Sequence, residues 1–322
     1  MSPPRARLAA VGLGRIGRLH ARNLAERVPS AELCCVADAL EPLARSVGEL
    51  HGVPWAVSLE EALGAAAFDG VVIAAPTPLH SELVELAAGA GLHVFCEKPL
   101  GLGAEAARRA VGAAAAAGVH LQVGFQRRFD PDWLALREAL ASGRLGELDL
   151  FRCSHRNARE PERTATLGDV FVDVAIHDLD AARWLGGEVA EVLGMSRGAA
   201  AALALRFEGG ALGLVDVSRR AGYGFECSAE LVGTLATART GHLQGGVALL
   251  RDGRASVELP IDHAERHDAA YVRELDWFGE VVLGRREPAV TGEDALAALE
   301  LALLATRSAE LGVPLAANAL AA

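Results

Sequence analysis

Continuous apolar runs separated by helical stretches fill the first 124 residues, and this alternation constrains the fold more than any other feature of the chain. "RLAAVGL", "AELCCVAD", "FDGVVIAAP", "GLHVFCEKP" and "GVHLQVGF" read as strands. Helical periodicity marks residues 15–27, 81–90 and 104–117 between them. Strands that are apolar on both faces belong in a parallel sheet covered by helices on each side. The tract "VGAAAAAG" looks like low complexity, but alanine is the best helix former and the tract reads as a helix.

Gly12, Gly14 and Gly17 form G-x-G-x-x-G where the first strand meets the first helix. The first glycine permits a tight turn, the second lets backbone approach a pyrophosphate, and the third lets helix and strand pack closely. The helix N-terminus then faces the negative charge. Asp38 closes the second strand 21 residues after Gly17, where an acid accepts from a ribose 2′-hydroxyl. A turn cap before Leu40 is the plainer reading of Asp38 by itself. With the glycine turn it points to a dinucleotide, and to NAD over NADP, because a carboxylate repels a 2′-phosphate and Ala39 and Leu40 offer it no cation. Arg15 and Ile16 of the glycine loop, Thr77 and His80 of "PTPLH", and Glu97 with Lys98 complete the expected cofactor set.

After Phe125 the texture changes. A helix over 131–141 precedes "GELDLFRCSH", another helix carries "DVAIHDLDAARW", and runs between 188 and 259 alternate in the manner of strands with Gly-Gly and Asp-Gly turns. "ALALRFEGGALGLVDVS" reads as a hairpin, and two helices close the chain. The expected fold is α/β: a doubly wound parallel sheet over residues 1–124, then an α/β domain with an open, largely antiparallel sheet over 125–322.

Composition narrows the function. Of 322 residues, 51% are hydrophobic and 23% charged, and the formal net charge of −11 argues against a nucleic-acid partner, which calls for a basic patch. No apolar run approaches the length of roughly 20 residues that spans a bilayer. The start "MSPPRARLAAVGLG" lacks a signal-peptide core, so the cytoplasm is expected. Five cysteines without C-x-x-C spacing fit buried free thiols in a reducing compartment.

Two stretches carry chemistry. "VFCEKPLG" sets Lys98 at the carboxyl end of a strand, the edge where such sheets bind ligands. A lone lysine is usually a solvated cation, yet here it could stabilise charge developing on a substrate oxygen. In "DVAIHDLDAARW", Asp173, His177, Asp180 and Trp184 share one stripe at about 100° per residue. Locally the stripe could be a solvated face, a metal site or an acid/base pair. A metal would need a third and fourth ligand with settled geometry, and none is expected. A histidine can take a hydroxyl proton near neutral pH, and a carboxylate one turn away can set its tautomer.

These motifs together resemble the glucose-fructose oxidoreductase, inositol dehydrogenase and MocA-like family. The likeness runs through "VGLGRIG", "AAPTPLH", "CEKPLG", "VGFQRRFDP", "DVFVDVAIHDLDAARWL" and "AYVRELDWFGEVVLG". Within it, "GFQRRFD" and "HRN" are most similar to inositol 2-dehydrogenases. The resemblance implies NAD-dependent oxidation of a small polyol, with Lys98, Asp173 and His177 as the catalytic residues. Arg127, His155, Asn157, Asp180 and Tyr223 join those three as expected substrate contacts. It implies a homo-oligomer, a tetramer or dimer, formed through the open sheet. A cyclitol such as myo- or scyllo-inositol is the expected substrate, and a sugar or aminocyclitol the alternative. A catalytically silent NAD-binding regulator would have no chemical need for all three catalytic residues.

Overall fold

The computed structural model describes residues 4–158, 169–241, 249–251, 254–256 and 262–317. The strand-like runs expected near 242–248 and 257–259 lie outside them. The chain forms two compact units, Met1–Phe129 with Ala269–Ala297, and Asp130–Asp268 with Ala298–Ala322. The sequence suggested a single cut at 124/125. A late segment belongs instead with the first unit, because an apolar helix surface far along the chain completes that unit's core.

The first unit runs β1 (Ala6–Val11), α1 (Arg15–Glu26), β2 (Ala31–Ala37), α2 (Glu41–His51), β3 (Trp55–Ala56), α3 (Leu59–Ala65), β4 (Gly70–Ile73), α4 (His80–Gly89), β5 (His93–Glu97), α5 (Ala104–Ala117) and β6 (Leu121–Gly124). All six strands are parallel in the order β3-β2-β1-β4-β5-β6. The strand order reverses between β1 and β4, which places the ligand crevice of a doubly wound sheet at their carboxyl ends. The two-residue β3 was not evident in the sequence, being too short to show alternation. Leu8, Leu24, Val36, Val72 and Phe95 pack with Leu275, Phe278 and Val281 in one core. Those last three residues lie on a later helix (Asp268–Val282), which Ser30 fastens through bonds to Asp276.

The second unit holds α6 (Pro131–Ala141), β7 (Leu148–Ala158), α7 (Ile176–Gly186), β8 (Val189–Arg197), β9 (Ala200–Phe207), β10 (Leu212–Ala221), β11 (Glu226–Gly233), β12 (Thr237–Thr240), the hairpin β13 (Leu249–Arg251) with β14 (Arg254–Ser256), and α8 (His263–Arg266). α9 (Asp268–Val282) belongs with the first unit, and α10 (Gly292–Leu311) and β15 (Leu315–Ala316) follow it. Seven strands form one sheet in the order β12-β11-β7-β10-β9-β8-β15. Every pair is antiparallel except β7 with β10, and β9–β10 is the expected hairpin. One face is covered: Phe151, Cys153 and His155 of β7 and Val215, Val217 and Arg219 of β10 are all buried. The other face exposes Leu212 and Leu214 at 48% each.

Candidate active site

The glycine turn follows from close approach. At Gly12, φ is +84° and an added Cβ would stand 2.4 Å from the Ala75 amide nitrogen. At Gly17 it would stand 1.8 Å from the Gly12 carbonyl oxygen. Around Gly14 nothing lies within 4 Å of such a Cβ. The α1 N-terminus therefore opens onto free space, with no side-chain cap and no acidic residue in its first turn. That combination fits a diphosphate: a sterically open approach onto the positive end of a helix. Arg15 is exposed there and Ile16 half-buried.

Asp38, just after β2, ties the loop down. Its Oδ2 accepts from the Leu13 N–H at 2.6 Å and its Oδ1 from the Leu40 N–H at 2.9 Å. The turn cap and the dinucleotide reading of this residue are thus compatible, since one carboxylate shapes the loop beside it. Thr77 starts a short 3-10 turn after β4 and is half-buried. His80 is only 2% exposed, with Nδ1 2.7 Å from the Pro99 carbonyl oxygen and Nε2 2.7 Å from that of Ala75. It clamps the ends of β4 and β5 together. Glu97, the last residue of β5, turns inward to His20, Oε1 to Nε2 at 2.8 Å. Lys98 follows it, half-buried, joined to Pro99 by a cis peptide bond.

In the second unit the stretch around Asp173 is not the uniform helix expected. Phe171–Ala175 forms a π-helical turn, and α7 begins only at Ile176. Such wide turns occur often at functional sites. Asp173 and His177 are both half-buried. Asp173 meets an unforeseen partner, Arg219 of β10, whose Nη2 lies 2.8 Å from its Oδ2. Asp180, one turn after His177 on α7, is wholly buried at 0% exposure. Arg127 is likewise buried, at 2%.

His155 and Asn157 stand on the same side of β7 through the strand's alternation. His155 is held by Asp178, Nδ1 to Oδ2 at 3.2 Å, while the Cys153 thiol donates to the other oxygen of that carboxylate at 2.9 Å. The ring of His155 lies edge-on to that of His177, with centroids 6.2 Å apart. Phe225 packs against His155 at 5.4 Å and His267 at 5.8 Å. Tyr223 is 53% exposed and its hydroxyl donates to Glu226 at 2.6 Å. Burial of the phenol and that bonded carboxylate push its pKa up to about 12. Asp178, Arg219, Phe225 and His267 were missed in the sequence because each acts through a partner on another strand or helix. The inward position of Arg219 within an alternating strand was the one available signal.

A glycine turn open to a diphosphate, with an acid at the end of the next strand, is the signature of a nicotinamide-dinucleotide-binding domain. Residues 6–125 match the oxidoreductase family with an NAD-binding Rossmann fold, and residues 133–239 match the GFO/IDH/MocA C-terminal domain. The chain is 35% identical to scyllo-inositol 2-dehydrogenase (NAD(+)) of Bacillus subtilis, covering 96% of this chain and 95% of that one. It is 34% identical to myo-inositol 2-dehydrogenase of Thermotoga maritima, over 94% and 96%. A scyllo-inositol dehydrogenase from Lactobacillus casei, solved with bound NAD(H) and scyllo-inositol, superposes with a TM-score of 0.90 at 25% identity over 98% of this chain and 100% of that one. The protein belongs to the GFO/IDH/MocA oxidoreductase family.

Proposed function

We propose that the protein oxidises a secondary hydroxyl of a cyclitol, myo- or scyllo-inositol, to the inosose by hydride transfer to NAD. The observation that carries this reading is the likeness to inositol dehydrogenases along 96% of the chain, with Lys98, Asp173 and His177 inside the two segments that match the family's domains. Bound NAD supplies the hydride acceptor. Gly12, Gly14 and Gly17 leave room for its diphosphate, and Asp38 receives its ribose. His80 and Glu97 act by fixing the strand ends that flank it.

His177 takes the proton of the reacting hydroxyl, a task suited to imidazole near neutral pH. The Lys98 ammonium stabilises negative charge as it develops on that oxygen. Asp173, steadied by Arg219, favours the imidazolium that results. His155 and Asn157 supply hydrogen-bonding groups for other ring hydroxyls. A site built from such groups rejects analogues lacking a hydroxyl, because buried polar atoms are then left unpaired.

The exposed Leu212 and Leu214, with Met195 at 59%, support self-association through the open sheet face, a dimer or tetramer that light scattering would size. Free cysteines, four of the five buried, support a reducing cytoplasm. Among the described residues no helix is long and apolar enough to cross a membrane. Initial rates of NAD reduction with inositol isomers, glucose and an aminocyclitol test the substrate. Turnover of inositols is expected, and turnover confined to a sugar or aminocyclitol would reassign the substrate while keeping the residues.

A further inference from the structure

His20, Glu97 and Glu274 meet inside the first unit, and neither His20 nor Glu274 takes part in the steps above. They come from α1, β5 and α9, three segments far apart in sequence. His20 and Glu274 are fully buried and Glu97 is 8% exposed. One nitrogen or oxygen from each lies within 4.8 Å of the others. The ring of His20 is boxed by Phe95 and Tyr271, edge-on at 5.5 and 5.9 Å. A Cβ on Gly124 would come within 3.1 Å of Glu97 Oε1, so this glycine leaves room for the carboxylate. The Lys98 N–H donates to Glu97 Oε2 at 3.3 Å. Neither side-chain oxygen of Glu274 has a hydrogen-bond partner, nor does His20 Nδ1. Gln122 donates to the Glu274 main-chain carbonyl at 3.0 Å, and its own side-chain oxygen is also unpartnered.

Two carboxylates this close in a dry interior do not both ionise. Burial pushes the Glu97 carboxyl upward, but the hydrogen bond and charge of His20, with Lys98 and His80, outweigh it and hold the group below its ordinary value. Glu274 has no such help. Burial, and then the charge of Glu97, push it well above the usual carboxylate range. Only as the acid does Glu274 have a proton to offer, and the unpartnered side-chain oxygen of Gln122 is an acceptor.

We propose that Glu274 is a buried carboxylic acid and a positioning residue for Lys98: its proton bridges to the His20–Glu97 pair, directly or through one water, and keeps Glu97 as the anion beneath the Lys98 backbone. The groups facing this pair are His20 from α1, Cys96, Glu97 and Lys98 from the β5 end, His80 from α4, and Tyr271 from α9. Glu97 thereby presents one charge and one orientation to the strand end from which Lys98 projects. The positioning role rests on the catalytic reading of Lys98 given above, and the protonation of Glu274 does not.

Infrared difference spectra of the substrate-free protein test the acid directly. A carbonyl stretch from an un-ionised carboxylic acid is expected at neutral pH in the wild type and absent in Glu274→Gln. Because the folded chain keeps a proton that the unfolded chain loses above its ordinary value of 4.5, native stability falls as pH rises beyond that value. Glu274→Gln cannot ionise, so its Tm relative to wild type should climb with pH. Misplacement by about 1 Å can lower turnover about a hundredfold. Glu274→Ala should therefore lose at least about tenfold in kcat with NAD affinity kept, while Glu274→Gln stays within about twofold.

Absence of the infrared band, or a Gln variant as damaged as Ala, would overturn the proposal. So would a stoichiometric metal ion found by elemental analysis in the wild type and lost in Glu274→Gln. The band with unchanged kcat in both variants would remove the positioning role. A wild type inactive on every polyol would defeat the functional reading instead, and would leave the spectroscopic and stability results standing.

Discussion

Arg219 on β10 holds Asp173 on the π-helical turn, Nη2 to Oδ2 at 2.8 Å, with the guanidinium only 6% exposed and the carboxylate 34%. The histidine's expected companion is thus anchored by a side chain on the covered face of the sheet, a cation that the local sequence does not display. Arg219→Ala should lower kcat by at least about tenfold through loss of that anchor, with NAD affinity unchanged. Arg219→Lys should restore part of it. The half-open carboxylate limits the stability loss to about 1–2 kcal/mol, measurable by urea unfolding. Unchanged turnover in Arg219→Ala would show that Asp173 needs no anchor.

Lys98→Met and His177→Ala should each reduce kcat by at least about a hundredfold, the lower end for acid/base groups. Calorimetric titration with NAD should show binding intact in both. Wild-type turnover by His177→Ala at neutral pH would reduce the Asp173–His177 pair to a helix surface without a chemical task.

Asp38 carries two roles that one substitution separates. Asp38→Ala should narrow the preference for NAD over NADP, as read from the ratio of kcat/KM values. It should also cost about 1.5–3 kcal/mol, since its carboxylate satisfies two backbone N–H groups. Equal use of both cofactors by the unmodified protein would overturn the assignment.

Asp130 centres a buried ion cluster in the second unit. At 1% exposure it accepts from Arg266 at 2.7 Å, lies 2.9 Å from His267 Nδ1, and caps α6 through the Asp132 N–H. Burial alone would raise its carboxyl, but the His267 hydrogen bond and the Arg266 charge outweigh that and hold it below its ordinary value. A depressed carboxyl stabilises the fold above the unfolded value of 3.8 and loses that contribution as pH falls through the folded value. Asp130→Asn should therefore cost about 3 kcal/mol near neutral pH, with the gap to wild type closing on acidification. A gap independent of pH would refute the charge argument.

Much of the first unit was legible because its signals are local. Apolar runs, the glycine spacing and Asp38 each depend on residues within one strand–turn–helix segment. The helix at 131–141 is where periodicity placed it, and helices close the chain as expected. Less visible was how the segment after Asp173 winds, since a π turn keeps the same apolar and polar residues and changes only which of them share a side. Asp173 lies within that turn, so its phase against His177 and Asp180 on α7 differs from that of a uniform helix.

The sequence by itself determined the parallel sheet, the dinucleotide turn and the residue types that carry the chemistry, because burial pattern and steric demand act over a few neighbouring residues. Tertiary structure alone decided the partners of those residues. Arg219 reaches Asp173 across 46 positions, Asp178 reaches His155 from a helix onto a strand, and Glu274 comes to Glu97 from a helix near the other end of the chain. Side-chain charges interact through space, and no spacing along the chain encodes which of them the packed core will bring within a few ångströms.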